Sequence, residues 1–472
     1  MNTQLPRRRF LAYSLASAGL LTTTTARPAS TTELLVPNIT GLYSIKVAAI
    51  SAPRNAQEAA EQVRKWPGRI AVGGGRYSMG GQIAIRAGLH LDMRSMNRLV
   101  WLKEKEKRAR VQAGMCWRDL QDIIDPHGLA VMTMQSYSNF SIGGSVAVNV
   151  HGRYVGNGPL CNSVLALQVV LADGSIVEAS ASENTDLFRA AFGSYGAIGV
   201  VTEVELRLTD NIRMERIVQS VPLDQYPEFF STRVAADKSN IMHNADLLPP
   251  AFDAPISVTW RTTDKPLTEN ARLIPRGLSY TAEKNMIWAA TELPFGQSLQ
   301  NRIRPMMLEK PAVTWRNHEA SLDVASLEPR TRLFSTYVLQ EYFIPPRHFL
   351  SFARTMAKVL QKHDVEALNI SIRHAPADTT SILPWAKEEV FSFVLYYKQR
   401  TYAGARDKVA VWTRELIDLA IAHEGRYYLP YQLHATRQQF QAAYPEAAQL
   451  SALKNRFDPG KRFLNEMWNK YL

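Results

Sequence analysis

Five glycines fall within the ten residues VGGGRYSMGG at 72–81. Glycine admits backbone where a Cβ would collide, and a run of bare amides after a strand makes a concavity suited to an anion or a flat ring. Two later stretches share this character, SNFSIGGSVAVNVHGR at 138–153 and GSYGAIGVVTEV at 193–204. The first loop lacks the Gly-Lys-Ser/Thr ending of a nucleotide-binding P-loop. No amphipathic helix starts directly after Gly81, which removes the helix-dipole mechanism of a dinucleotide fingerprint. What remains is loop backbone wrapped on a ligand, with Arg76 among the glycines.

The elements that must hold these loops alternate quickly. EAAEQVRKW reads as a helix, RIAVGG, LHLDM and ARVQAGM as strands, and WRDLQDIIDPHG as a helix ended by glycine. LALQVVLADGSIVEA reads as a hairpin turning at Asp173-Gly174, and VVTEVELRL alternates apolar and polar residues. Residues 45–208 therefore predict a mixed α+β domain and not a βαβ array. From 209 to 425 glycines thin out. There the strands STYVLQEYFI, ALNISIRH and VFSFVLYY accompany the helical stretches RHFLSFARTMAKVLQKH and YAGARDKVAVWTRELIDLAIAHE, predicting an antiparallel sheet backed by helices. Residues 426–472 form a third segment.

The chain has 472 residues, 46% of them hydrophobic and 21% charged, enough for two cores. Its net charge of +12 is spread among acidic residues with no Lys/Arg-rich block outside the N-terminus, which argues against a nucleic-acid partner. At 6–21, PRRRFLAYSLASAGLL sets a basic cluster before a short apolar stretch, the layout of an export signal. Arg7-Arg8 followed by Phe10-Leu11 resembles a twin-arginine motif, used by proteins that fold before crossing the membrane. Cleavage after Ala26 or Ala29 is expected, and loss of Arg7, Arg8, Arg9 and Arg27 lowers the charge to +8. The expected location is the periplasm, as a soluble or loosely membrane-associated protein. Cys116 and Cys161 are the two cysteines, too few for a disulfide framework, and no Cys/His cluster suggests a metal.

Taken in order, the three glycine stretches resemble the FAD-binding domain of the vanillyl-alcohol oxidase family, and FDPGKRFLNEMW at 457–468 resembles that family's closing segment. The resemblance implies an α+β fold: a two-part FAD-binding domain at 45–208, an antiparallel-sheet substrate cap at 209–425, and a C-terminal segment at 426–472 that returns to the FAD domain. It assigns cofactor contacts to Gly73, Gly74, Gly75, Arg76, Tyr77 and Ser78, to Ser141, Ile142, Gly143, Gly144, His151 and Gly152, and to Ile198, Gly199 and Val200. Many members attach the flavin through a histidine where Arg76 stands, so single-histidine attachment there is excluded and noncovalent FAD is expected. The Arg76 fork suits the cofactor's diphosphate.

For the reaction, the resemblance to sugar-lactone, alditol and decaprenyl-phosphoryl ribose oxidases singles out Glu341 on YVLQEYFIP and Arg373 on LNISIRH, with Leu339 and Phe343 sharing the Glu341 face and Ser371 the Arg373 face. It also places His151 near the flavin ring and Tyr431 where those relatives carry a lysine, with Tyr428 and Gln432 beside it. The alditol oxidases have a glutamate in place of Ser371. The implied activity is FAD-dependent dehydrogenation of a CH–OH group on a sugar, lactone or polyol, with oxygen or a respiratory acceptor taking the electrons. Two alternatives stay open: an amine-oxidising flavoenzyme of the cytokinin-dehydrogenase kind, suggested by YLP at 428–430, and an exported flavin-binding protein without turnover.

Overall fold

Besides a two-stranded antiparallel ribbon of Leu35–Pro37 and Ser44–Lys46, three larger sheets organise the computed structural model, which describes residues 33–472. The smallest is parallel, with Leu89–Asp92 between Ala49–Ser51 and Ile70–Gly73. Helix Ala56–Lys65 makes the crossover between the outer strands; Asn55 caps it by accepting from the Glu58 amide, and Ala59, Ala60 and Val63 bury its apolar stripe. The second sheet is antiparallel, in the order Ile176–Ser180, Val164–Val170, Val200–Asp210, Arg108–Gln112, Leu99–Lys103, with Leu129–Val131 on the far end of Val200–Asp210.

The third sheet is built from residues 213–427 and is antiparallel throughout. Its order is Val313–Trp315, Arg213–Ser220, Ile256–Thr262, Asn240–Leu247, Ala367–Ala375, Val390–Arg400, Ser335–Ile344, Arg426–Tyr427. Helices Phe349–Lys362 and Ala405–Ala422 cover one face. Phe349 and Phe352 set their rings within 5.2 Å of Phe393, and Trp412 meets Tyr397 edge-on at 4.9 Å. Because side chains alternate along a strand, the opposite face carries Leu339, Glu341, Asn369, Ser371, Arg373, Val394 and Tyr396. Register aligns Glu341 with Val394, Val394 with Ser371, and Ser371 with Asp246, a row across four strands.

Residues 462–464 pair with Ile70 in the small parallel sheet. Ile70 donates to the Arg462 carbonyl at 2.7 Å and accepts from Leu464 at 2.9 Å, while buried Lys454 donates to the Ala197 and Phe463 carbonyls and to Asp458. Trp468 donates through its indole to Ser194. The proposed signal at 1–29 lies outside the described residues. Among the described residues no helix is long and apolar enough to cross a membrane.

Two expectations about local structure change. The stretch 138–153, read as loop backbone, contains the helix Ile142–Val148, which closes at Asn149 in the left-handed region (φ 49°). The cap region holds more than the predicted strands: Arg213–Ser220, Asn240–Leu247 and Ile256–Thr262 also join the sheet, and the helices Thr281–Glu292 and Gly296–Glu309 lie in the chain between Ile256–Thr262 and Val313–Trp315.

Candidate active site

One cavity of about 670 Å³ runs from the glycine loops to the open face of the third sheet. At its loop end the close approaches expected of the glycines are real, but several are made to the protein itself. A Cβ on Gly74 would stand 2.1 Å from Ser141 Oγ, and one on Gly73 would stand 2.4 Å from the His90 ring. Ser141 Oγ accepts the Gly75 amide at 2.9 Å, locking the first loop to the start of helix Ile142–Val148. Gly143 packs on Ala113 and donates to its carbonyl at 2.7 Å.

Among the cofactor contacts expected from sequence, Gly74, Gly75, Arg76, Tyr77, Ser78, Ser141, Gly143, Gly144, His151, Ile198 and Gly199 line the cavity. Gly73, Ile142, Gly152 and Val200 stand behind the wall. Ile142 and Val200 are core residues, and a Cβ on Gly152 would meet the Met134 carbonyl at 2.1 Å. Arg76 sits at φ 63° with its guanidinium engaged by the protein: its NH2 group donates to Asp92 at 2.9 Å and lies 3.1 Å from the His90 ring, while its Nε is buried without a partner. The expected pairing with a diphosphate therefore competes with Asp92, which Arg94 also neutralises.

The four residues singled out for chemistry come together at the sheet end. Glu341, 3% exposed, accepts three hydrogen bonds: from His151 Nε2 at 2.6 Å, from the Ser392 hydroxyl at 2.6 Å and from the Tyr431 hydroxyl at 3.0 Å. Burial pushes its carboxyl up, but His151, Arg373 and Ser392 outweigh this, and the group lies below its ordinary value. Burial and the neighbouring Glu341 hold the Tyr431 phenol well above its usual range, so it keeps its proton as a donor. Arg373, its charge destabilised by burial and supported by Glu341, has a buried Nε with no partner.

Packing fixes this constellation. The His151 ring lies among Trp385 (4.8 Å), Phe343 (5.6 Å) and Tyr428 (6.0 Å). Tyr428 and Trp385 donate to the carbonyls of Val148 and Asn149, and the Asn149 side chain donates to Asp378 at 2.8 Å. Gln432, grouped with Tyr431 on sequence, instead turns into the interior and donates to Gln399. Residues that sequence reasoning missed complete the chamber: Tyr137, Asn244, Asp246, Asn369, Arg153 paired with Glu319 at 2.6 Å, and Arg304 paired with Asp246.

Residues 47–180 match the FAD binding domain family. L-gulonolactone oxidase of Mus musculus is 23% identical over 412 residues, covering 85% of this chain and 89% of its own. Alditol oxidase of a Streptomyces species is 31% identical over 175 residues, 37% of this chain and 41% of its own. Cytokinin dehydrogenase 2 of Arabidopsis thaliana is 28% identical over 141 residues, 30% of this chain and 28% of its own. Residues 47–180 therefore carry an FAD-binding domain, and the chain is similar over most of its length to a sugar-lactone oxidase of the vanillyl-alcohol oxidase family. The protein is an FAD-linked oxidoreductase.

The cavity suits the cofactor of this family. Its volume falls within the range of ligand sites, roughly 300–1,000 Å³. Among the described hydrogen bonds the successive amides of Arg76, Tyr77 and Ser78 have no backbone or side-chain acceptor, so they form a concave set of donors on the wall beside Gly74 and Gly75. Apolar Val72, Ala147, Val169, Leu187 and Ile198 line the cavity nearby, a surface for flat rings. No group of His, Cys, Asp or Glu among the described residues is arranged to hold a metal.

Proposed function

We propose that this protein dehydrogenates a CH–OH group of a sugar, sugar lactone or polyol, with Tyr431, Glu341 and Arg373 handling the hydroxyl. The observation that carries this reading is the chain Tyr431–Glu341–His151 beside Arg373, in the cavity that the glycine loops line. Bound FAD supplies an acceptor, at its N5, for the hydride leaving the substrate carbon.

The side chains account for the proton. Glu341 is nearly sealed by its three donors, whereas Tyr431 is half-buried and faces the cavity. A substrate hydroxyl beside Tyr431 passes its proton to the phenolic oxygen as the phenol proton moves to Glu341, and the net transfer leaves Glu341 protonated. Arg373 holds the substrate oxygen and orients the C–H bond. His151, wedged among three aromatic rings, keeps the carboxylate fixed. The polar wall of Asn244, Asp246, Asn369, Ser371 and Arg304 matches a polyhydroxylated substrate, since each hydroxyl taken from water needs a partner.

Export through a twin-arginine signal belongs to the same reading and rests on Arg7-Arg8-x-Phe10-Leu11. Reoxidation by oxygen or a respiratory acceptor is part of the same reading. The test is an anaerobic visible spectrum of the flavoprotein titrated with polyols, aldonolactones and amines. Bleaching by a sugar-type alcohol or lactone is expected. Bleaching by amines alone would transfer the protein to an amine-oxidising class, and a flavin that none of these reduces would reject the catalytic reading.

A further inference from the structure

A second cavity of about 550 Å³ lies at the start of helix Ala405–Ala422, lined by Leu42, Thr401, Tyr402, Gly404, Asp407, Ala410 and Leu433 and by four basic side chains, Arg406, Arg414, His434 and Lys470. None of its residues lines the first cavity. Three fixed cations face a single carboxylate there, that of exposed Asp407. The cations are not neutralised by the fold. Arg406 lies over the Tyr43 ring at 4.6 Å, Lys470 donates to the Leu433 carbonyl at 2.6 Å, and among the described residues neither they nor Arg414 forms a salt bridge. Burial lowers the proton affinity of Lys470, and the adjacent Arg414 lowers it further.

Two further features favour a negative partner at this cavity. The helix turns in at Gly404 with φ 79°, its Ala405 amide donates to the Tyr402 carbonyl, and the Arg406 and Asp407 amides are first-turn donors without an intrahelical acceptor. His434 is 8% exposed, and its Nε2 is buried without a hydrogen-bond partner. Burial and the nearby Arg406, Lys470 and Arg414 hold its imidazole neutral, at about 3. A neutral imidazole can carry its hydrogen on Nε2 and donate it, which suits an oxyanion that the three cations also attract.

We propose that this cavity is a second ligand site, taking a phosphate-class oxyanion on Arg406, Arg414, Lys470 and His434. The anion arrives either on a soluble phosphorylated molecule or on a lipid headgroup. The site does not depend on the reaction proposed above, and FAD already loaded keeps a phosphate probe from the cofactor's own diphosphate cradle.

The experiment is calorimetric titration of the FAD-loaded protein with inorganic phosphate at fixed ionic strength, with chloride as the control. Saturable phosphate binding is expected, weakened about tenfold by Arg414→Gln or Lys470→Gln, the effect of losing one charge-assisted contact. Should either substitution impair folding, exposed Arg406→Gln serves the same purpose. Phosphate heats equal to those of chloride, or affinities unchanged in these variants, would overturn the site. Vesicles of phosphatidic acid in phosphatidylcholine separate the two sources. Co-sedimentation that phosphate competes away and Arg414→Gln abolishes assigns a headgroup, whereas phosphate binding without co-sedimentation assigns a soluble ligand.

Discussion

The hydroxyl of Tyr431 donates to Glu341 Oε2 across 3.0 Å, joining a loop after the last strand of the third sheet to the middle of strand Ser335–Ile344. The bond makes the tyrosine the cavity-facing end of a carboxylate that has almost no surface of its own.

If the proton leaves through this pair, Tyr431→Phe lowers kcat by roughly 10²–10⁴-fold with a small change in KM, as expected for loss of a proton-transfer group. Glu341→Gln gives a loss of similar size. The double variant is no worse than the slower single one, since both residues act as a unit. Stopped-flow reduction of the flavin under anaerobic conditions measures the step directly. Full-speed reduction in Tyr431→Phe would remove the tyrosine from the route.

Gly74→Ala places a methyl group where Ser141 Oγ stands, 2.1 Å away. Purified Gly74→Ala is expected to carry less flavin per chain than the native protein. Replacing Ser141 by alanine in that background removes the clashing atom and restores part of the flavin, at the cost of the Gly75 hydrogen bond. The ratio of flavin absorbance to protein absorbance reads both effects.

Acid precipitation is expected to release all of the flavin into the supernatant. Arginine stands where a linking histidine would be, the cavity lining contains no cysteine, and His151 is engaged by Glu341 through Nε2. Flavin retained in the pellet would require another attachment point.

Stability should fall as pH drops below 6.5. Burial depresses His90 to about 4 and His243 and His434 to about 3, against an ordinary value of 6.5, so the unfolded chain binds more protons than the folded one throughout that interval. The stability present above pH 6.5 is therefore lost as pH falls toward those folded values. Glu341, whose folded carboxyl lies below 4.5, adds a further loss at lower pH. Thermal melts across this range at constant ionic strength check the slope, and His243→Gln should flatten it.

Much of the site was legible because strand alternation carries over directly into a face. Once STYVLQEYFI and ALNISIRH are strands, Leu339 and Glu341 share a side, as do Ser371 and Arg373. Ser392 was not legible, since its bond to Glu341 depends on pairing between strands far apart in sequence. The strand Asn240–Leu247 was hidden because its cavity-facing residues, Asn244 and Asp246, are polar and break the expected pattern of apolar burial. Arg76 was read from the resemblance and from the fit of its fork to a diphosphate, but its acceptor Asp92 comes from the neighbouring parallel strand, a contact that only the assembled sheet creates.

The backbone pairing of Ile70 with residues 462–464 has a consequence for the order of synthesis. The strand that leads into the first glycine loop lacks one of its neighbours until nearly four hundred further residues have left the ribosome. Cofactor loading is therefore expected to wait on translation of the segment around Phe463, and a chain that ends before it is expected to hold less flavin than the full-length protein.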